Sequence, residues 1–107
     1  MQALNNIKFI SEATTEFDKW INAINSANTF EKAKRKAEGA LGFVDCLTTY
    51  LNCMVCTENN DFTGELGELL DSMTARVYQA AADKAVETKQ PNETIMRLLA
   101  RRDEYRN

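Results

Sequence analysis

The sequence predicts an all-α protein: a compact antiparallel helical bundle of three long helices and one short C-terminal helix, forming a single domain over residues 1–107. Three observations carry this. Apolar residues recur at three- and four-residue steps through nearly the whole chain, the mark of a helix with one buried stripe. One Pro and four Gly in 107 residues leave few places to interrupt a helix. No segment keeps up the apolar–polar alternation of a half-buried strand.

The first helix is expected over about residues 2–27, with Ile7, Ile10, Ala13, Phe17, Trp20, Ile21 and Ile24 on its apolar stripe. That stripe predicts a buried Trp20. Asn28-Thr29 offers a break and a new N-cap. The second helix, about 30–57, carries Phe30, Ala33, Ala37, Leu41, Val44, Leu51 and Val55, and ends at a polar loop, Glu58-Asn59-Asn60-Asp61. The third, about 62–89, aligns Leu66, Leu70, Met73, Val77, Ala81 and Lys84. A lysine there suggests that this face reaches solvent near its end. Gln90-Pro91-Asn92-Glu93 reads as a restart, with Pro at the first helical position and Gln90 or Asn92 as cap. The fourth, about 91–106, is anchored by Ile95, Leu98 and Leu99.

Helix two has a second pattern. Gly39, Gly42, Cys46, Thr49, Cys53 and Cys56 follow 3-4-3-4-3 spacing, and every member is small. Such a stripe reads as a helix–helix seam that admits a close neighbour. With Phe43, Leu47, Tyr50 and Met54 beside it, the helix looks apolar on nearly every side. It is therefore expected at the centre of the bundle or at the core of a homodimer, with a slight preference for the dimer. Either way, Cys46 and Cys53 are expected to be shielded from thiol reagents, and Cys46→Leu to overpack.

Composition bounds the chemistry. With no His, most general-base, nucleophile-activating and metal arrangements are excluded. Three cysteines, two of them spaced C-x2-C at Cys53 and Cys56, lack the fourth ligand that zinc wants and sit at a helix end, where a redox motif is not found. They read as small hydrophobes of a reduced, cytoplasmic protein. The first residues resemble neither a signal nor a transit peptide, and no apolar run is long enough for a membrane span.

Glu65, Glu68 and Asp71 stand at three-residue steps on helix three. The run Glu65-Leu66-Gly67-Glu68-Leu69-Leu70-Asp71 resembles the first half of the motif of MazG-type nucleotide pyrophosphohydrolases. That resemblance implies an all-helical enzyme whose two acidic pairs hold magnesium. The second pair, a Glu followed three residues later by Asp, does not occur between Ser72 and Asn107. Acids in the first turns of a helix also suit the positive end of its dipole. No catalytic, cofactor or metal residue is therefore assigned.

Charge is uneven. Residues 58–90 carry a net of −4, while Lys32, Lys34, Arg35 and Lys36 form one basic run and Arg97, Arg101, Arg102 and Arg106 another. Acids are interleaved with both runs, so solvated faces are expected and nucleic acid is not the expected partner. The functional expectation is a non-enzymatic accessory, regulatory or inhibitory protein of a bacterial or phage kind. It would bind another protein, with Glu65, Glu68, Asp71, Arg97 and Arg101 as a candidate interaction face. A divergent pyrophosphohydrolase and a nucleic-acid binder are the alternatives.

Overall fold

The computed structural model describes the backbone of residues 2–55 and 60–106, and the side chains of residues 7–53 and 64–106. Among the described residues four helices follow in order: α1 (Gln2–Ser26), α2 (Phe30–Val55), α3 (Asn60–Glu87) and α4 (Asn92–Glu104). They form an all-α bundle, and no strand occurs among the described residues. The bundle measures 49 × 23 × 17 Å, long in the direction of its three long helices. None of its described helices is long and apolar enough to cross a membrane.

The helix ends follow local chemistry. Thr29 Oγ1 accepts from the Lys32 backbone N–H at 3.2 Å, which caps α2 where the sequence placed its cap. Two residues expected in the loop before α3, Asn60 and Asp61, are its first helical residues; Glu58 and Asn59 lie outside the described residues. α3 closes with Lys89 in the left-handed region at φ 58°. The Gln90 N–H then reaches Ala85 O at 2.9 Å and the Lys89 N–H reaches Val86 O at 3.1 Å, the paired bonds of a Schellman stop. At α4 the sequence reading is corrected. Pro91 itself occupies the cap, its carbonyl accepting from Thr94 and Ile95, and no side chain caps the helix. Gln90 turns back to Thr88 instead.

Pairing between helices can be read from individual contacts. Phe9 stacks on Tyr50 at 4.6 Å between centroids, and Trp20 lies against Gly39, so α1 and α2 run antiparallel about their short connection. Arg76 reaches Asp18 at 3.2 Å and Lys84 reaches Asn25 O at 2.8 Å; numbers rise together, so α1 and α3 are parallel. α4 folds back along α3, where Arg102 donates to Gln79 Oε1 at 2.6 Å and Tyr105 stacks with Tyr78.

The central helix is α3, not α2. It contacts all three others, whereas among the described residues α2 packs closely on α1 and α3 and meets α4 only across grooves. Leu66, Leu70, Met73, Val77, Ala81 and Lys84 are all buried, as the stripe predicted for the apolar members. Ala75, Ala82 and Ala85 are buried on further sides of the helix. Alanine at these positions lets neighbouring helices come close without a gap. The opposing layer is Ala13, Phe17 and Ile24 of α1 with Ala33, Ala37, Ala40, Val44 and Leu47 of α2.

The expectation that Lys84 marks a solvent-facing end is overturned. Its side chain is 7% exposed, and its ammonium group sits between Asn25 O and the Glu87 carboxylate at 2.7 Å. It thereby supplies a positive charge to the last turn of α1, where free carbonyls want one. α4 is the least buried helix and contributes no fully buried residue.

Candidate functional site

The small stripe of α2 does not meet another helix in the single chain. On a helix, Gly42, Cys46, Thr49 and Cys53 fall opposite Ala33, Ala37, Ala40, Val44 and Leu47, which already fill the contacts with α1 and α3. The four are exposed, and Cys46 and Cys53 are free thiols. Within one chain this corrects the reading of α2 as the central helix; shielding of the two thiols and overpacking by Cys46→Leu then rest on the homodimer arrangement alone. Cys56 lies outside the described residues. Gly39 belongs to a different contact. A Cβ built there would fall 2.7 Å from Cη2 of Trp20, so the missing side chain is what seats the indole, while a Cβ on Gly42 would meet nothing within 4 Å.

The outward face of α2 is nonetheless unusual. The row of Gly42, Cys46, Thr49 and Cys53 runs roughly 16 Å along the helix without a charge of its own, and exposed Asp45 and Asn52 flank it. Its one hydroxyl, on Thr49, donates to Asp45 O at 3.1 Å, which satisfies it within the helix. Tyr50, 45% exposed, borders this row and stacks on Phe9 near the start of α1.

The candidate face of Glu65, Glu68, Asp71, Arg97 and Arg101 is only partly brought together. Glu68 and Asp71 line a groove of about 570 Å³ between α3 and α4, opposite Arg102, Tyr105 and Arg106 and beside Arg76. Asp71 also borders a second groove, of about 460 Å³, with Asp45, Arg101 and Tyr105. Arg101 lies over the rings of Tyr78 and Tyr105 at 5.5 and 6.0 Å, and its pKa is raised, first by a hydrogen bond with Tyr78. Arg97 is elsewhere, paired with Glu93 at 3.0 Å beside a narrow apolar groove between α2 and α4. Glu65 lines none of these grooves.

This arrangement bears on the pyrophosphohydrolase resemblance. Among the described residues, no three Cys, Asp or Glu side chains converge as a metal site would need. The groups across the groove from Glu68 and Asp71 are arginines, which repel a cation instead of completing its shell.

A site missed at the level of sequence lies between α1 and α2. Trp20 is half-buried and lines a groove of about 600 Å³ with Ala23, Ser26, Asn28, Lys32, Arg35, Lys36 and Gly39. The signal was present: Lys32, Arg35, Lys36 and Gly39 stand at i, i+3, i+4 and i+7 on one face of α2. Folding the α1–α2 hairpin about its short turn brings Trp20 opposite Gly39.

The two basic runs differ sharply. On α4, Arg97 pairs with Glu93, Arg101 with Glu104, and both Arg102 and Arg106 with Asp103. Among the described residues, Lys32, Lys34, Arg35 and Lys36 form no ion pair. The acids interleaved with them, Glu31 and Glu38, do not line the groove.

Comparison with protein-family models, with curated proteins and with solved structures finds no match.

Proposed function

We propose that this chain is a non-enzymatic binding protein, an accessory, regulatory or inhibitory factor of the cytoplasm that docks a protein partner on the outward face of α2. The observation that carries this reading is the outward row of small, uncharged residues, Gly42, Cys46, Thr49 and Cys53. It stands exposed on a chain in which 27% of residues are charged. A small-residue strip fits another helix, because Gly42 and Thr49 allow a backbone to approach closely. A second copy is one such partner, since the same strip on two chains can meet about a twofold axis. The mixed-charge groove around Glu68 and Asp71 weighs against the magnesium-dependent alternative, because its acids face arginines.

Cys46→Arg tests the proposal. The residue is in solvent, so the variant folds with unchanged helicity. A guanidinium in the centre of a desolvated contact should weaken association by about tenfold or more. Sedimentation of the purified protein reads self-association, and side-by-side capture of wild type and variant from its native cells reads a different partner. An unchanged sedimentation profile together with unchanged capture would contradict the role of this face.

A further inference from the structure

We propose that the groove over Trp20 binds a phosphate-bearing nucleobase unit of single-stranded nucleic acid, with the base against the indole and the phosphates held by Lys32, Arg35 and Lys36. This site is separate from the α2 strip, and its reading does not rest on that one.

The first support is electrostatic. Among the described residues Lys32, Lys34, Arg35, Lys36 and Lys89 have no acidic neighbour within 4.0 Å, and Lys32, Arg35 and Lys36 of these border the groove. These three share one face of α2, and no acid lines the groove they border. Three unpaired cations around one cavity make a local positive field on a chain of net charge −3. The ligand they suit is an anion with more than one charged group.

The second support is the floor of the groove. Trp20 is the single tryptophan of the chain, and Gly39 seats it tightly beside the cations. A half-buried indole bordered by Lys and Arg is the combination that holds single strands: a flat ring for the base and a charged rim for the backbone. Ser26 and Asn28, also lining the groove, add polar groups able to meet a base edge or sugar. A cavity of about 600 Å³ lies within the range of sites that hold small ligands. An acidic peptide would use the cations and leave the ring unused. The α4 basic run offers no rival site, since its charges are already met by Glu93, Asp103 and Glu104.

Titration with a short oligothymidylate tests the proposal, with thymidine diphosphate and a polyglutamate peptide in parallel. Stacking should quench the Trp20 fluorescence. Three phosphate contacts give a log–log salt slope of about −2, so affinity should fall about twentyfold between ~50 and ~200 mM salt. Arg35→Glu and Lys36→Glu, exposed and with no ion pair to break, should keep the fold by circular dichroism. Each should weaken binding and reduce the slope by about one. Tighter binding of the oligonucleotide than of the diphosphate identifies a strand as the source of the ligand. Equal or tighter binding of the diphosphate would overturn the assignment to a single strand. Absence of quenching by either, an equal response to polyglutamate, or binding untouched by both charge reversals would overturn the site.

Discussion

Phe17→Ala should destabilise the protein by about 3–5 kcal/mol, the usual range for truncating a fully buried aromatic. Phe17 has no solvent exposure and sits in the layer where α1 meets both α2 and α3. Its ring also lies beneath the Arg76 guanidinium at 5.1 Å, and Arg76 in turn holds Asp18 at 3.2 Å. Truncation therefore opens a cavity at the three-helix junction and removes the surface on which this link from α1 to α3 rests. Phe17→Leu, which keeps most of the volume, should cost only about 1–1.5 kcal/mol. Urea unfolding followed by Trp20 fluorescence and by circular dichroism measures both. A loss below about 1 kcal/mol for Phe17→Ala would show that α1 is not docked through this residue.

Lys84→Ala should cost about 3 kcal/mol, an unusual sum for a lysine. Most of the side chain is a buried stem, worth about 0.8 kcal/mol per methylene. The ammonium group adds a charge-assisted bond to Asn25 O, of order 1.5–3 kcal/mol, offset by the cost of keeping the charge out of water. Lys84→Met separates these contributions, because it keeps the stem and drops the charge; a loss of about 1 kcal/mol is expected. Glu87→Gln should change stability by less than about 0.5 kcal/mol, since that carboxylate is largely in solvent. Equilibrium denaturation of the three variants gives the comparison. Near-equal stability of Lys84→Ala and wild type would mean that the lysine is solvated and the end of α1 is held by something else.

Lys84 also shows where sequence reasoning stopped. Its position on the stripe with Leu66, Leu70, Met73, Val77 and Ala81 was legible, because 3-4 spacing fixes a shared face whatever the residue. Whether that face was wet at its end depended on Asn25, whose carbonyl a linear sequence does not place. Of the two places expected for α2, the centre of the bundle fails for a related reason. The small residues of α2 read as buried by their type, yet Ala33, Ala37, Ala40, Val44 and Leu47 already supply its contacts, which leaves Gly42, Cys46 and Cys53 outward. In α3 the alanines gave no strong pattern, although Ala75 and Ala82 lie two turns apart on the flank carrying Tyr78 and Gln79, where α4 lies. The Trp20 groove needed a register between helices: the i, i+3, i+4, i+7 face of α2 was visible, but its tryptophan sits on α1.

The reading of α2 as a docking face is tested most directly by the two thiols within it. Alkylation of Cys46 and Cys53 is measured in dilute purified protein and in cells that express it natively, each normalised to the unfolded chain. Both cysteines should react readily in the dilute folded protein, because they face solvent in the single chain. In the cell both should be protected together, and Cys46→Arg should restore reactivity at Cys53. Equal, rapid labelling of both thiols in the two settings would leave the face bare and contradict the account.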